Sequence, residues 1–240
     1  MATEAVDKST VWQGGQPPMK ARYGKLMMWF FLVSDAFTFT SFLVAYGLIR
    51  FSSQYWPDAN VVFDAMPFMH GAHIPLGFVS IMTFILILSS VFVVRAVQEG
   101  HMLNRMGVLF WLGLGIVGGV AFLGCQAWEW THMYHEGLWF NKNSLMIDPA
   151  DGSTVKAYAA AGMSGLVASP KVFSSLFFSI TGFHGMHVLS GVVINIIVWI
   201  KAYKGTYQRK KDYEMVEKVG LYWHFVDLVW VFVFLCFYLL

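Results

Sequence analysis

The sequence predicts an all-α integral membrane protein whose five transmembrane helices form one bundle. Only 12% of the 240 residues are charged and 57% are hydrophobic, whereas charged residues make up about a quarter of a typical soluble domain. Five apolar segments are each long enough to cross a bilayer, which takes about 20 helical residues. We expect residues 1–24 to form a polar N-terminal segment and residues 25–240 to form a single transmembrane domain. The predicted helices cover about residues 25–49, 74–97, 107–130, 172–200 and 219–240.

The distribution of Lys and Arg predicts a cytoplasmic N-terminus and a C-terminus on the outer side. One side of the membrane holds twelve of the 16 basic residues, and such an excess marks the cytoplasmic side. The loop 132–171 then lies outside, and a loop of this length often carries function or contacts a partner. A net charge of only +2 gives no indication of a nucleic-acid partner. The twelve are Lys8, Lys20, Arg22, Lys25, Arg95, Arg105, Lys201, Lys204, Arg209, Lys210, Lys211 and Lys218.

The first predicted helix carries a carboxyl group, Asp35, within the sequence FFLVSDAFTF. It lies about 10 residues into the helix, or roughly 15 Å at a rise of 1.5 Å per residue. A carboxyl group at that depth must be paired, hydrogen-bonded or protonated. Two interpretations remain open: a group that handles protons or binds a ligand, and a hydrogen bond that packs two helices together.

The fourth predicted helix carries two histidines, His184 and His187, which share one face because they are three residues apart. Small residues nearby, including Gly182, Gly185 and Gly191, would let another helix approach closely. Two histidines on one helix cannot bind a single haem from both sides. We therefore expect hydrogen bonds between helices here rather than a haem site.

The third predicted helix carries Gln126 and Glu129, and further His and Glu residues follow it. Glu129 and His132 match one arm of a di-iron carboxylate site, but that site needs a second such arm and two more glutamates. No second arm is present in the sequence, so we predict no metal site. The fifth predicted helix carries His224 and Asp227, again three residues apart and on one face.

Together these polar residues predict a buried belt in which carboxylates pair with imidazoles of other helices. The helical rise puts Asp35, Asp227 and His187 in roughly one layer, and Glu129 near the depth of His184. The sequence contains no nucleotide-binding motif and no nucleophile with an orienting base. We therefore expect no catalytic centre in this chain.

Four motifs resemble subunit III of cytochrome c oxidase, in the family of haem–copper terminal oxidases. The segment that ends at Asp35 resembles the one that carries the family's buried carboxylate, which is usually glutamate. The other three motifs lie on the third, fourth and fifth helices. They are Gln126-Ala127-Trp128-Glu129-Trp130, Thr181-Gly182-Phe183-His184-Gly185-Met186-His187-Val188, and Tyr222-Trp223-His224-Phe225-Val226-Asp227.

The resemblance implies an accessory subunit of a proton-pumping oxidase in aerobic respiration, in the bacterial cytoplasmic membrane. Such a subunit binds subunit I, which holds the haems and copper, and it supports proton uptake and the stability of the catalytic subunit. Subunit II, a small subunit or a larger respiratory supercomplex are further expected partners. The resemblance also implies bound phospholipid, with Lys201, Lys204 and Arg22 as candidates for contacting head groups. Simple positive-inside flanking is the alternative interpretation of these lysines.

The chain departs from many members of the family because it has five predicted helices instead of seven. The wall of the lipid cleft that the first two helices would form is therefore absent unless another subunit supplies it. Three alternatives remain open: subunit III of a quinol oxidase, a subunit of a nitric-oxide-reductase-type complex, and a free-standing membrane transporter. The transporter would use Asp35, Glu129 and the histidines.

Overall fold

Five long helices make up most of the chain in the computed structural model, which describes residues 23–63, 76–156, 160, 165–210 and 212–239. Each of the five is long and apolar enough to cross a membrane. The prediction of an all-α membrane protein with five spans is therefore confirmed. The helices are α1 (Tyr23–Ser52), α2 (Gly77–His101), α3 (Arg105–His135), α4 (Lys171–Tyr203) and α5 (Glu214–Phe234), the last continuing into a π-helical turn, Leu235–Leu239.

The helices reach beyond the apolar segments because polar residues continue the helix at several ends. At the start of α3, for example, the Asn104 side chain accepts a hydrogen bond from the Gly107 amide at 3.3 Å. This cap satisfies one of the free N–H groups that every helix start exposes. Two short helices, Ala59–Val62 and Thr206–Lys210, lie in the connections.

The bundle has an interior formed by α2, α3, α4 and α5, and an edge formed by α1. Helix α2 packs against both α3 and α5, while α1 rests mainly on α5 and touches α4 over a small area. Only 17% of the most apolar stretch of α1 is buried, against 44% for the span that includes α5. Most of α1 therefore faces whatever surrounds the bundle.

A tryptophan of α5, Trp223, fills the space between α3 and α4 because glycines face it from both helices. A Cβ atom would lie 2.5 Å from the Trp223 ring at Gly119 and 2.8 Å from it at Gly191. Neither position can carry a side chain without displacing the ring. Close packing around small residues is the usual way in which transmembrane helices associate.

Hydroxyl groups of α2 satisfy the indole N–H groups that α5 buries. Trp223 Nε1 donates to Ser89 Oγ at 3.2 Å, and Trp230 Nε1 donates to Thr83 Oγ1 at 3.0 Å. Ser89 Oγ in turn donates to the Gly115 carbonyl of α3 at 2.8 Å. These contacts join α2, α3 and α5 through polar groups that would otherwise lie unpaired in an apolar interior.

A small antiparallel sheet occupies the described part of the loop 132–171. Its strands are β1 (Leu145–Ile147), β2 (Thr154–Lys156) and β3 (Val167–Ala168), in the order β2-β1-β3. The sequence analysis missed this sheet because strands of two or three residues are too short to show an alternating pattern.

Two contacts attach this sheet to the helices. Thr154 Oγ1 accepts a hydrogen bond from the Asp58 amide at 2.7 Å. Lys156 forms an ion pair with Glu136 just past the end of α3. Both partners belong to connections at the end of the bundle where α1 and α3 finish, so the sheet covers that end.

Candidate functional site

The structure brings together Asp35 of α1 and His187 of α4. Asp35 Oδ2 lies 3.3 Å from His187 Nε2, and the two side chains are 10% and 15% exposed, respectively. The other ring nitrogen, His187 Nδ1, lies 2.8 Å from the carbonyl oxygen of Phe183. A carbonyl oxygen can only accept, so Nδ1 carries a proton. The contact between Nε2 and Oδ2 is then attractive only if a second proton lies between them, on the imidazole or on the carboxyl group.

Glu129 of α3 is 1% exposed and is bound by groups other than a histidine. Gln126 Nε2 donates to its Oε2 at 3.2 Å, and the Tyr238 hydroxyl lies 3.1 Å from both carboxyl oxygens. The expected pairing of Glu129 with His184 is therefore not formed. Tyr238 reaches Glu129 from the π-helical turn that follows α5.

His184 lies in an aromatic enclosure and is fully buried. Its ring centroid lies 5.0 Å from that of Trp230, 5.9 Å from that of Phe122 and 6.3 Å from that of Phe39. Neither ring nitrogen has a hydrogen-bond partner within the part of the chain that the structure describes. His184 therefore lies level with Phe122, seven residues before Glu129 on α3, which puts the two side chains about 10 Å apart along the bundle. The expectation that Glu129 lies near the depth of His184 is wrong.

A hydroxyl group, rather than a direct carboxylate–imidazole pair, connects the polar residues of α5. Ser90 Oγ of α2 lies 2.6 Å from His224 Nδ1 and also lies beside the Asp227 carboxyl group. His224 itself is exposed on the surface of the bundle, while Asp227 is half-buried. The expected layer that joins Asp227 to Asp35 and His187 is not formed as a set of direct contacts.

The sequence analysis missed the hydroxyl groups that receive these polar side chains. Ser89 and Ser90 are adjacent in an otherwise apolar stretch of α2. Hydroxyl groups inside membrane spans favour helix interfaces, so these two serines could have predicted a contact with another helix. Tyr238 gave no such signal because its ring reads as part of the apolar run FLCFYLL. A buried tyrosine hydroxyl nevertheless needs a partner.

The lipid-contact candidates lie near the end of α4 or outside the described residues. Lys201 and Lys204 are both exposed where α4 ends, whereas Arg22 lies outside the described part. Another cation near this end of α4, Arg105, donates from Nε to the Ala202 carbonyl at 3.1 Å and from a second guanidinium nitrogen to the Tyr203 carbonyl. This arginine therefore caps the last turn of α4 with two of its three nitrogens.

Cavities lined by described residues adjoin α1. An apolar groove of about 350 Å³ lies between α1 and α5, and a more polar cavity of about 470 Å³ lies where α1 ends and includes Tyr238 in its wall. The second cavity therefore approaches the tyrosine that binds Glu129. Its other charged or polar lining residues are Arg50, Asp58 and Asn60.

The residues that follow α3 do not assemble a metal site in the described part of the chain, where no group of three His, Cys, Asp or Glu side chains converges. His132 Nδ1 lies 3.9 Å from Glu136 Oε2, but the Glu136 carboxylate forms an ion pair with Lys156. Further along this loop, hydrogen bonds from Ser153 hold the pKa of the exposed Asp151 carboxyl below its usual range. This last contact stabilises a turn and creates no ligand set.

Comparison with known proteins identifies the family of this bundle. Residues 153–240 match the sequence profile of cytochrome c oxidase subunit III. The quinol oxidase subunit 3 of Bacillus spizizenii is 32% identical over 69% of this chain and 67% of its own length. The chain belongs to the cytochrome c oxidase subunit III family. This confirms the resemblance inferred from the four motifs.

Relatives in this subunit III family cover most of the chain. The cytochrome c oxidase subunit 3 of Alkalihalophilus pseudofirmus is 27% identical over 90% of this chain and 85% of its own length. The cytochrome bo(3) ubiquinol oxidase subunit 3 of Pseudomonas putida is 26% identical over 90% of this chain and 84% of its own length. The chain is thus subunit III of a haem–copper oxidase and a multi-pass membrane protein. Its complex is a terminal oxidase, which is an oxidoreductase.

Proposed function

We propose that this subunit III is an accessory subunit without a redox centre, which binds the haem-bearing subunit I and supports proton uptake by it. The Asp35–His187 pair carries this proposal. Asp35 lies on α1, the helix at the edge of the bundle, and the Asp35 and His187 side chains are 10% and 15% exposed. A partner packed against α1 would therefore adjoin a group that holds a proton between a carboxyl oxygen and an imidazole nitrogen.

The pair can pass a proton because its geometry leaves one position to share. His187 Nδ1 is committed to the Phe183 carbonyl, so proton exchange is confined to Nε2 and the Asp35 carboxyl group. Carboxyl and imidazole groups are the side chains most often used in intramembrane proton relays. The haems and copper that reduce oxygen belong, in this proposal, to the partner subunits.

The lysines at the end of α4 support a role in lipid contact. Lys201 and Lys204 are exposed at the end of the bundle that the charge distribution assigns to the cytoplasm. Ammonium groups at this interface can bind the phosphates of anionic lipids. We therefore propose the bacterial cytoplasmic membrane as the location, with the N-terminus inside, the C-terminus outside and phospholipid bound at this end.

Purification from native membranes tests the proposed function. An affinity tag on this chain should recover a complex that shows a haem absorption spectrum and contains subunits I and II. A chain that isolates alone, stable and without haem, would contradict the proposal and favour a free-standing membrane protein.

The electron donor is a separate question, because the relatives' names include both cytochrome c and quinol oxidases. The relative with 32% identity is named a quinol oxidase subunit, so quinol oxidation is the second candidate. Steady-state oxygen uptake by the purified complex, with reduced cytochrome c in one assay and a quinol in the other, decides between them.

A further inference from the structure

The hydroxyl group of Tyr222, on α5, reaches the backbone of α4 at the histidine of the Asp35–His187 pair. Tyr222 Oη lies 3.2 Å from the His187 carbonyl oxygen and 2.7 Å from Ser190 Oγ. Ser190 Oγ lies 2.9 Å from the same carbonyl oxygen. Tyr222 is only 5% exposed, so its hydroxyl group needs these partners. The two hydroxyl groups and the carbonyl therefore form one cluster that joins α5 to α4.

Two arrangements of protons fit this cluster, and both join Tyr222 to the His187 carbonyl. Each hydroxyl group has one proton to donate. If Ser190 donates to the carbonyl, Tyr222 donates to Ser190; if Ser190 donates to Tyr222, Tyr222 donates to the carbonyl. Neither arrangement requires a particular protonation state of Asp35 or of the His187 ring.

The close approach of the Tyr222 ring to α4 depends on Gly191. A Cβ atom at this position would lie 3.3 Å from Cε1 of the Tyr222 ring, which is tighter than ordinary packing. Gly191 is four residues after His187, so the two lie on the same face of α4. The absence of a side chain at Gly191 therefore lets the tyrosine hydroxyl reach a carbonyl one turn earlier.

Tyr222 also contacts α1, the helix that carries the carboxyl group of the pair. Its ring centroid lies 6.2 Å from that of Phe31. Phe31 is four residues before Asp35 and lies on the same face of α1. Asp35 is also close enough to Tyr222 for the two groups to interact electrostatically. One side chain of α5 therefore contacts both helices that supply the pair.

The pair depends on the relative placement of two helices that touch each other only over a small area. Helix α1 rests mainly on α5 and has few contacts with α4. Asp35 Oδ2 and His187 Nε2 are 3.3 Å apart. An offset of only about 0.5 Å between α1 and α4 would take this contact beyond hydrogen-bonding distance. A residue of α5 that touches both helices can set this offset.

We propose that Tyr222 is the positioning residue of the Asp35–His187 pair, and that it holds α1 and α4 at the offset where the carboxyl and imidazole groups face each other. The inference rests on the proposed function, because it concerns the same pair. It adds a residue of α5 to a site that is otherwise formed by α1 and α4.

Chemical labelling of Asp35 in the purified oxidase tests this inference. A hydrophobic carbodiimide modifies a carboxyl group only while that group carries a proton, so the pH of half-maximal labelling reports the surroundings of Asp35. Mass spectrometry of the α1 peptide measures this label separately from labels on other carboxyl groups. The other titratable side chains linked electrostatically to the pair, within the described part of the chain, are Tyr222 of α5 and His184 of α4.

Tyr222→Phe removes the hydroxyl group and should shift the pH of half-maximal labelling in the same direction as His187→Gln. The expected shift is about 0.4 pH unit, the equivalent of one intramembrane hydrogen bond. When His187→Gln is already present, Tyr222→Phe should shift this pH no further, because the tyrosine acts through the histidine.

The matched control is Tyr213→Phe. Tyr213 is also buried, and its hydroxyl group donates to Gln208 Oε1 at 2.9 Å. It lies nine residues before Tyr222, or about 13 Å along the helix. Tyr213→Phe should therefore leave the pH of half-maximal labelling unchanged.

Two results would overturn the inference. The first is no shift in Tyr222→Phe. The second is an equal shift with and without His187, which would show that the tyrosine acts on Asp35 directly. If Tyr222→Phe does not assemble, Ser190→Ala decides, since it removes the partner of the tyrosine at an exposed position. A shift in the same direction would support the inference, and no shift would overturn it.

The labelling separates this inference from the proposed function because it requires no turnover. A shifted pH of half-maximal labelling with unchanged proton uptake in Tyr222→Phe would support the positioning role and contradict the role of the pair in proton uptake. Slower proton uptake without a shift in labelling would overturn the positioning role and leave the proposed function intact.

Discussion

Glu129 and Asp35 are both carboxyl groups within transmembrane helices, but the bundle surrounds them differently. Glu129 lies in the interior, where Gln126 and Tyr238 of the same chain occupy its oxygens. Asp35 lies on the edge helix, where its contact is one imidazole nitrogen and part of the pair remains exposed. We propose that the interior carboxyl group holds helices together, whereas the carboxyl group on the edge helix serves a partner subunit. Substitutions in the interior should mainly affect folding, and those at the edge should mainly affect function.

The largest loss of stability should follow Glu129→Leu. This change leaves the Gln126 amide and the Tyr238 hydroxyl buried without an acceptor, and each unpaired donor costs about 1–3 kcal/mol. The effect is measured by heating the purified complex and monitoring the loss of the intact subunit with temperature. Glu129→Gln keeps an acceptor oxygen and should lose less. Equal stability of Glu129→Leu and the unaltered protein would show that this network does not hold the helices.

A smaller loss should follow Gly119→Ala, because the added methyl group would meet the Trp223 ring at 2.5 Å. Overpacking of this kind typically costs about 1–3 kcal/mol. The matched control is Gly124→Ala on the same helix, where no atom lies within 4 Å of the added carbon. Parallel denaturation of both variants checks the difference. If both lose the same stability, packing against Trp223 is not the cause.

Thr83→Val should cost about 1 kcal/mol, since it preserves the shape of the side chain but leaves the Trp230 indole N–H without its acceptor. On α1, Thr38→Val removes a hydroxyl that donates only to its own helix, at the Ser34 carbonyl. We expect this edge substitution to change stability by less than half as much. Denaturation of the two variants side by side makes the comparison. A greater loss from Thr38→Val would reverse the assignment of interior and edge.

Much of the architecture could be predicted from the sequence, because hydropathy and length report directly on membrane spans. The orientation of each helix about its own axis could not be predicted in this way. The sequence analysis put Glu129 near the depth of His184, but His184 packs against Phe122 and Trp230 while Glu129 is bound by Tyr238, one to two helical turns further along the bundle. Contacts across helices depend on how far neighbouring helices are offset along the bundle and on their rotation and tilt, none of which rise or composition specifies.

The candidate site was predictable only in part, because the sequence shows which polar residues lie in a span but not which residues they contact. Both residues of the Asp35–His187 pair were identified from their cost in a membrane. The hydroxyls that receive the α5 side chains were missed, because a serine or threonine in a span can equally satisfy itself on its own helix. Ser90 and Thr38 are chemically similar in the sequence, and only the structure separates the one that joins helices from the one that does not.

The smallest effect on stability, and the most informative effect on function, should come from Asp35→Asn. The amide keeps the size of the side chain and a hydrogen-bonding contact with His187, so the subunit should stay folded and assembled. The measurement is proton uptake and the number of turnovers before inactivation, in the purified oxidase with its haem spectrum recorded beforehand. We predict an unchanged haem spectrum with slower proton uptake or a shorter active lifetime. Unchanged uptake and lifetime would contradict the proposed role of the Asp35–His187 pair and leave it as a contact that only packs α1 against α4.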